Sequence, residues 1–286
     1  MIDLDAARTF VHSHGRLIDR RRFQHAFDGA PAALVVTALA AYRNPDRGFG
    51  ALEPDLRTLA SQPVPLRYAL DVLATVPPSP ETQDLASVGL DWLSTVTSDD
   101  GGVPFVLPSA DEQPAAPWMS PAPGSSLLAT VQLLAGALRL GLDHPWLAAA
   151  TDYCWGRIDE VTPADAYTFR YAVDLLDVAP DRSRAEQELE RLVALLPADG
   201  HIAVNGGEPG EELDPLTLAP SPDHVGTRLL DASVVDRALV DLEAGQHDDG
   251  GWDFTWERWH PVAAWEWRGA VTIEALLTLK AYGRLA

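Results

Sequence analysis

Two acidic side chains and an arginine alternate within a stretch of the chain that lacks helical or strand patterning. Glu53, Asp55 and Arg57 lie inside residues 44–64. In an extended segment alternate side chains point to the same side, so we expect the three charges to converge. Two neighbouring carboxylates raise one pKa while an arginine keeps the other group ionised, which suits a general acid–base pair. The alternative is that Arg57 only bridges the acids and ties down the loop.

A second stretch combines tryptophans with charged residues. Residues 252–267 contain five of the nine tryptophans, and Glu266 and Arg268 lie at its end. Aromatic faces can stabilise a cation or stack on a flat ligand, although core packing is the competing interpretation. Together the two stretches predict catalytic roles for Asp55, Glu53 and Glu266, and substrate-binding roles for Arg57, Arg268, Trp118, Trp256, Trp267 and His224.

A short acidic, glycine-containing turn recurs along the chain. Its copies end at residues 49, 103, 202 and 252, separated by intervals of 54, 99 and 50 residues. The double interval implies a copy that has degenerated near residue 153. A period of this size indicates an array of supersecondary units, each consisting of a helix, a turn and a helix.

Apolar patterning predicts which of these helices are buried. Residues 84–97 are apolar on one face, whereas residues 31–42 and 127–140 are apolar on nearly all sides. Alternation between one-faced and all-round apolar helices is what two concentric layers of helices require. Residues 44–64, 197–223 and 252–268 are predicted to be long loops that lead into the buried helices.

The last copy of the turn carries a longer motif. Gln246, Gly250 and Trp252, with Leu242 four residues before the glutamine, resemble the QW repeat of squalene and hopene cyclases. Those enzymes, like protein prenyltransferase β-subunits, are α/α toroids, and their glutamine and tryptophan are chiefly structural. The resemblance implies an all-α toroid of five to six helix pairs forming a single domain over residues 1–286. Its segments would be an N-terminal helical segment, 1–30, and repeat units at about 31–80, 81–142, 143–180, 181–231 and 232–286.

The same resemblance implies a function. We expect a terpenoid-cyclase-like enzyme that performs acid–base cyclisation or isomerisation of an isoprenoid or another apolar natural-product substrate in a central cavity. The Asp-x-Asp-Asp motif of squalene and hopene cyclases does not occur in this sequence. The alternatives are a saccharide-processing α/α toroid and a non-catalytic binding or scaffold protein.

Prenyltransferase β-subunits bind zinc through an aspartate, a cysteine two residues later and a histidine further along the chain. Asp152, Cys154 and His224 offer these residue types in this order. Cys154 falls in a predicted helix rather than a turn, and a lone cysteine is commonly a small buried apolar residue. We therefore expect no zinc at these residues and no cofactor.

Composition limits the partners. A formal net charge of −21 disfavours nucleic acids and anionic membrane surfaces, because both are bound through Lys and Arg. No apolar run is long enough for a membrane span. One cysteine excludes an intramolecular disulfide, and the acidic N-terminus does not resemble a secretory signal. We expect a cytoplasmic protein with a small, apolar substrate; its oligomeric state is not indicated.

Overall fold

The structure, a computed structural model, describes residues 2–110 and 113–285, and this part of the chain is mostly helical. The α-helices are α1 (Leu4–His14), α2 (Leu17–Asp28), α3 (Ala33–Ala40), α4 (Pro63–Ala74), α5 (Pro80–Ser94), α6 (Leu127–Arg139), α7 (Trp146–Trp155), α8 (Ala166–Val178), α9 (Arg182–Leu195), α10 (Pro215–Leu218), α11 (Ala232–Ala244) and α12 (Pro261–Ala281). Strands β1 (Ile202–Ala203) and β2 (Glu212–Leu213) form one antiparallel pair. The all-α class predicted from the sequence is confirmed.

The chain packs as two compact units. One unit comprises residues 30–160 and contains α3 to α7. The other joins the N-terminal residues up to Gly29 with everything from Val161 onwards, and contains α1, α2 and α8 to α12. The predicted segments and the single-domain toroid stay predictions.

In the unit of residues 30–160 the helices form two layers. Helices α4 and α6 pack against each other, α5 packs on α4, α7 packs on α6, and α5 contacts both α3 and α7. Helix α6 is buried at every residue from Ala129 to Ala137, as its all-round apolar pattern predicts. Helix α3 differs from its prediction, because only Val35, Ala38 and Leu39 are buried. A helix of eight residues in the outer layer leaves one apolar side uncovered.

The other unit is organised around its last helix. Helix α12 contacts α1, α2 and α11, while α8 contacts α9 and α10. The N-terminal helical segment consists of two helices, with Gly15 as the C-cap of the first. The predicted loop 252–268 is too long, since α12 begins at Pro261 with the His260 side chain as its N-cap. Glu266 and Arg268 therefore lie on this helix rather than on a loop.

Side-chain caps fix the start of three helices. Ser126 caps α6 by accepting a hydrogen bond from the backbone N–H of Ala129. Asp165 caps α8 by accepting from the N–H of Thr168, and Asp181 caps α9 by accepting from the N–H of Arg184. Each cap satisfies an N–H group that has no partner within its own helix.

Four turns share one local geometry. In each, an aspartate carboxylate accepts a hydrogen bond from the backbone N–H two residues later, at 3.1, 3.0, 3.2 and 3.0 Å for Asp46, Asp100, Asp199 and Asp249 respectively. The residue after each aspartate has a positive φ, at 78°, 88°, 75° and 90°. Glycine occupies this position in three turns because it tolerates such angles, and Arg47 occupies the first. The predicted degenerate copy near residue 153 instead lies within α7.

Three of these aspartates also bind a residue of the next buried helix or of the segment that leads into it. Asp46 accepts a hydrogen bond from the Ser61 hydroxyl at 2.7 Å, and Asp100 accepts one from Ser125 at 2.6 Å. Asp249 instead receives both terminal nitrogens of Arg268, at 2.8 and 2.9 Å. Each carboxylate thus ties its turn to the helix that follows.

The Gln246 side chain fastens the last turn to the start of the chain. Its Nε2 donates to the carbonyl oxygens of Asp3 and Gly250, at 2.9 and 3.1 Å, and its Oε1 accepts from the backbone N–H of Asp3 at 2.8 Å. The indole N–H of Trp252 donates to the carbonyl of Leu242 at 2.8 Å. Both side chains therefore hold backbone segments together, the structural role that the resemblance implies.

The close packing of this turn on α1 can be tested with Gly250→Ala. A Cβ atom at Gly250 would lie 2.3 Å from the carbonyl carbon of Ala6, at a φ of 90°. We expect the free energy of unfolding, measured by urea denaturation, to fall by about 3 kcal/mol from strain and overlap together. The control is Gly210→Ala, which has a φ of 87° and no atom within 4 Å of its Cβ. That variant should lose only about 1 kcal/mol; equal losses would contradict the packing argument.

Candidate functional site

The predicted acid pair lies in the loop between α3 and α4. Residues 53–56 form a turn in which the backbone N–H of Leu56 donates to the carbonyl of Glu53 at 3.2 Å. The prediction of an extended segment is therefore wrong, because a turn does not place alternate side chains on one side. The Glu53 carboxylate nevertheless stays next to Asp55, accepting a hydrogen bond from its backbone N–H at 2.7 Å.

Both acids are buried. Glu53 is 2% exposed and Asp55 is 3% exposed, whereas Arg57 is half-buried. The cover comes partly from the next long loop, whose Pro114 carbonyl accepts from Arg57 N–H at 3.1 Å and whose Ala116 N–H donates to the Asp55 carbonyl at 2.8 Å. This backbone pairing therefore helps to bury the acid pair.

The backbone next to the acid pair is strained. Ala51 has a φ of 54°, in the left-handed region that non-glycine residues seldom adopt. Its N–H donates to the Thr58 carbonyl at 2.8 Å, which closes the loop around residues 52–57. Such strain persists only where surrounding contacts over-determine it, and it occurs often at functional sites.

A solvent-open cleft of about 600 Å³ lies on the same unit. Apolar lining is provided by Pro45, Leu59, Ala60, Trp92, Val96 and Leu107, and polar lining by Asn44, Asp46, Ser61 and Ser109. The Asn44 amide donates to the Ser61 hydroxyl at 3.0 Å, so the polar groups are already bonded to each other. Glu53 and Asp55 are outside this lining. Trp118, from the predicted binding set, is also on this unit and is 39% exposed.

The tryptophan-rich segment forms an aromatic cluster in the other unit. The ring of Trp256 lies 4.6 Å from that of Phe254 and 5.1 Å from that of Trp267, which it meets edge-on. The Trp256 indole N–H is buried with no hydrogen-bond partner in the described part of the chain. Trp256 and Trp267 are half-buried, so part of each ring packs inside the protein and part is accessible to a ligand.

Arg268 makes hydrogen bonds and aromatic contacts within its own unit. Besides the two bonds to Asp249, its Nε donates to the Trp252 carbonyl at 3.3 Å. The guanidinium lies 4.6 Å from the ring centre of Phe10 and 5.4 Å from that of Trp265. These contacts hold the last turn against α12 and α1. Substrate binding by Arg268 would require the guanidinium to share this network.

Closure of a toroid is expected to bring Glu53 and Asp55 together with Glu266 and Arg268. Glu53 and Asp55 belong to the unit of residues 30–160, whereas Glu266 and Arg268 belong to the other. Glu266 is half-buried on α12. Their convergence over a central cavity stays a prediction.

His224 is buried between two aspartates of α8. Its Nε2 lies 3.2 Å from the Asp174 carboxylate and 3.6 Å from that of Asp177, while its Nδ1 accepts from the Gly226 N–H at 3.2 Å. The 3.2 Å approach to Asp174 has the distance but not the direction of a hydrogen bond. The Asp177 carboxylate also accepts from the Val225 N–H at 2.9 Å. These contacts attach the segment after residue 223 to α8, a structural role that sequence reasoning did not foresee.

The three possible zinc ligands differ in burial and in the unit to which they belong. Cys154 is buried within α7, as predicted, whereas Asp152 on the same helix is exposed. Burial raises the pKa of the Cys154 thiol to about 12, so this sulfur stays protonated. Among the described residues we find no cluster of three His, Cys, Asp or Glu side chains arranged to hold a metal. His224 lies in the other unit.

Sequence reasoning missed a polar chain that involves Tyr167. Its hydroxyl donates to the Glu211 carboxylate at 3.0 Å, and the other oxygen of Glu211 accepts from the Glu208 N–H at 2.9 Å. Burial and the nearby Glu211 carboxylate raise the pKa of the Tyr167 hydroxyl. The residues belong to α8 and to the hairpin loop, and no local motif links them.

No protein-family model matches the chain, and no curated protein matches it. Among solved structures, the chain is similar to a crystal structure of a protein from Actinoplanes, with a TM-score of 0.54. The sequences are 15% identical, and the match covers 98% of this chain and 89% of that one. Identity at this level shows a shared fold. None of the described helices is both long and apolar enough to cross a membrane.

The pair of Asp249 and Arg268 predicts a pH-dependent contribution to stability. Hydrogen bonds from Arg268 lower the pKa of the Asp249 carboxyl, although partial burial acts against them. A lowered carboxyl pKa stabilises the fold above the unfolded-state value, about 4, and this stabilisation is lost as the pH falls through the folded-state value. Because the Asp249 side chain is 44% exposed, we expect Asp249→Asn to cost about 1 kcal/mol or less at pH 7.

The test compares thermal unfolding of wild type and Asp249→Asn between neutral and acidic pH. Their difference should shrink as the pH falls below about 4, where the wild-type carboxyl becomes protonated. The neighbouring Asp248→Asn is the matched control, because Asp248 is exposed. A difference that stays constant across the whole range would argue against the ion pair as its source.

The zinc prediction has its own measurement. We expect protein incubated with zinc and then dialysed to retain less than one equivalent, because the thiolate rather than the thiol is the metal ligand and burial keeps Cys154 protonated. Elemental analysis of wild type and Cys154→Ala would give the same low content. Stoichiometric zinc that disappears in Cys154→Ala would refute the expectation.

Proposed function

We propose that this protein is an α/α toroid enzyme that uses the Glu53–Asp55 pair for acid–base cyclisation or isomerisation of a small apolar substrate. The toroid part of the proposal is supported by the alternating helix layers and by the shared geometry of the four turns. The bonds from Gln246 to Asp3 support it further, since they join the N-terminal segment to the last turn.

The burial of Glu53 and Asp55 is the observation that carries the catalytic part. Burial raises the proton affinity of a carboxylate, whereas hydrogen bonds and ion pairs to its charged form lower it. Two buried carboxylates with different partners therefore differ in proton affinity, as a general acid and its partner require. The left-handed Ala51 nearby adds a second sign of a functional loop.

We assign each residue of this site a role. Asp55 is the general acid or base, and Glu53 is its partner, positioned by the hydrogen bond from the Asp55 N–H. Arg57, half-buried in the same loop, orients the polar end of the substrate. Trp118, which is partly exposed on the same unit, supplies an aromatic face that stabilises carbocation character.

Solvent deuterium gives a direct test. Purified protein is incubated in D₂O with squalene, geranylgeraniol and farnesol, and the recovered compounds are analysed by mass spectrometry. Protonation of a double bond by Asp55 places one deuterium on carbon, and loss of a proton elsewhere completes an isomerisation or cyclisation. We expect Asp55→Asn to reduce this incorporation at least about 100-fold and Glu53→Gln to reduce it less.

Stability is measured in parallel, because both acids are buried. Asp55→Asn keeps the size of the side chain, and Asp99→Asn, at an exposed turn residue, is the matched control. Incorporation that survives in folded Asp55→Asn would contradict the assignment of the acid. Absence of incorporation in wild type with every substrate would favour the saccharide or scaffold alternatives.

A further inference from the structure

A second cleft lies in the unit that contains α8 to α12, separate from the unit that holds the acid pair. Its volume is about 310 Å³ and it is open to solvent. Its lining combines two aromatic rings, two carboxylates, a guanidinium and a hydroxyl, from Phe254, Trp256, Glu208, Glu257, Arg258 and Thr255. The volume is at the lower end of small-molecule pockets, which suits a single ring rather than an extended chain.

The aromatic part of this cleft is held in place before any ligand arrives. Trp256 packs between Phe254 and Trp267, with ring centres 4.6 and 5.1 Å away. Phe254 is buried, whereas Trp256 keeps part of its surface exposed. A fixed, partly exposed indole offers a flat apolar face on which the apolar side of a ring can stack.

One donor in this wall has no acceptor. The indole N–H of Trp256 is buried and makes no hydrogen bond within the described residues. Buried donors without partners are uncommon, and each calls for an explanation such as a missing water or ligand. An oxygen atom of a ligand that entered beside the ring, with a small adjustment of the cleft, would satisfy this N–H.

The charges of the cleft select against ionic ligands. Glu208 and Glu257 are both exposed at the cleft and would repel a phosphate or carboxylate. Arg258 is paired with Asp253 at 2.5 Å and lies 5.2 Å from the ring centre of Phe254, so a cation already occupies that aromatic face. A neutral ligand rich in hydroxyl groups can use all of these groups, since it donates to the carboxylates and accepts from Arg258 and Trp256.

The part of the cleft that contains Glu208 is also held in place by hydrogen bonds. Glu208 is carried by the loop between β1 and β2, and its N–H is bound to the Glu211 carboxylate. Glu211 is in turn bound by the hydroxyl of Tyr167 on α8. This chain fixes the loop to a helix, so the Glu208 backbone needs little ordering when a ligand binds.

We propose that this cleft binds a neutral polyhydroxylated ring, such as a monosaccharide unit or a cyclitol. The ring stacks on Trp256, its hydroxyls donate to Glu208 and Glu257, and one ring or hydroxyl oxygen accepts from the Trp256 N–H. The site is independent of acid–base catalysis at Glu53 and Asp55.

Saturation-transfer NMR and tryptophan-fluorescence titration test the proposal with D-glucose, N-acetylglucosamine and myo-inositol. Glucose 6-phosphate and glucosamine are the anionic and cationic comparators. We expect at least one neutral compound to bind, and glucose 6-phosphate to bind about tenfold more weakly than glucose. The proposal is overturned if no neutral compound binds, or if a charged comparator binds more tightly than every neutral one.

Two substitutions examine the mechanism of recognition. Trp256→Phe keeps an aromatic face but removes the N–H, and should weaken binding about five- to tenfold. Glu257→Gln should reduce the discrimination against glucose 6-phosphate by removing one repulsive charge. Glu190→Gln, at an exposed glutamate of α9, is the matched control and should leave that discrimination unchanged.

Circular dichroism and thermal unfolding confirm that each variant is folded. Wild-type affinity in folded Trp256→Phe would overturn the role of the indole N–H. Unchanged discrimination in folded Glu257→Gln would overturn the electrostatic part of the argument.

Discussion

The hydrogen bond that an aspartate carboxylate accepts from the backbone N–H two residues later is the interaction on which the helix arrangement depends. At Asp46, Asp100 and Asp249 the same carboxylate also binds a residue close to the start of a buried helix. One charged group thus sets the shape of a turn and the position of the next helix. Because the turn needs a left-handed residue, glycine at positions such as Gly250 lets the backbone approach α1 closely.

In the unit of residues 30–160, hydrogen bonds of a buried polar side chain join the loop between α3 and α4 to the loop between α5 and α6. Gln62 joins them, because its side chain donates to the Ser109 hydroxyl at 2.8 Å and accepts from the Leu107 N–H at 2.7 Å. The loop around Asp55 therefore packs like core although it contains no regular structure. Its conformation is set by specific hydrogen bonds, and the Glu53 and Asp55 side chains are buried within it.

The other unit distributes its charges differently. Arg268 and Arg258 are each paired with an aspartate and placed over aromatic rings, so cations and aromatic faces satisfy one another there. Glu208 and Glu257 remain exposed at the edge of the small cleft. The acidic composition of the chain thus leaves carboxylates, rather than cations, available to a ligand, which favours hydroxyl-rich partners over phosphates.

The features that the sequence determined are local ones. The aspartate turns, the Ser126 cap and the all-round burial of α6 depend on residues within a few positions of each other, so pattern alone predicts them. The burial of Asp55 could not be predicted from local pattern, because it follows from backbone hydrogen bonds between residues 55–57 and residues 114–116. The same holds for the Tyr167–Glu211 bond. Only tertiary structure decides such contacts, since they depend on how distant segments are packed and not on the order of neighbouring residues.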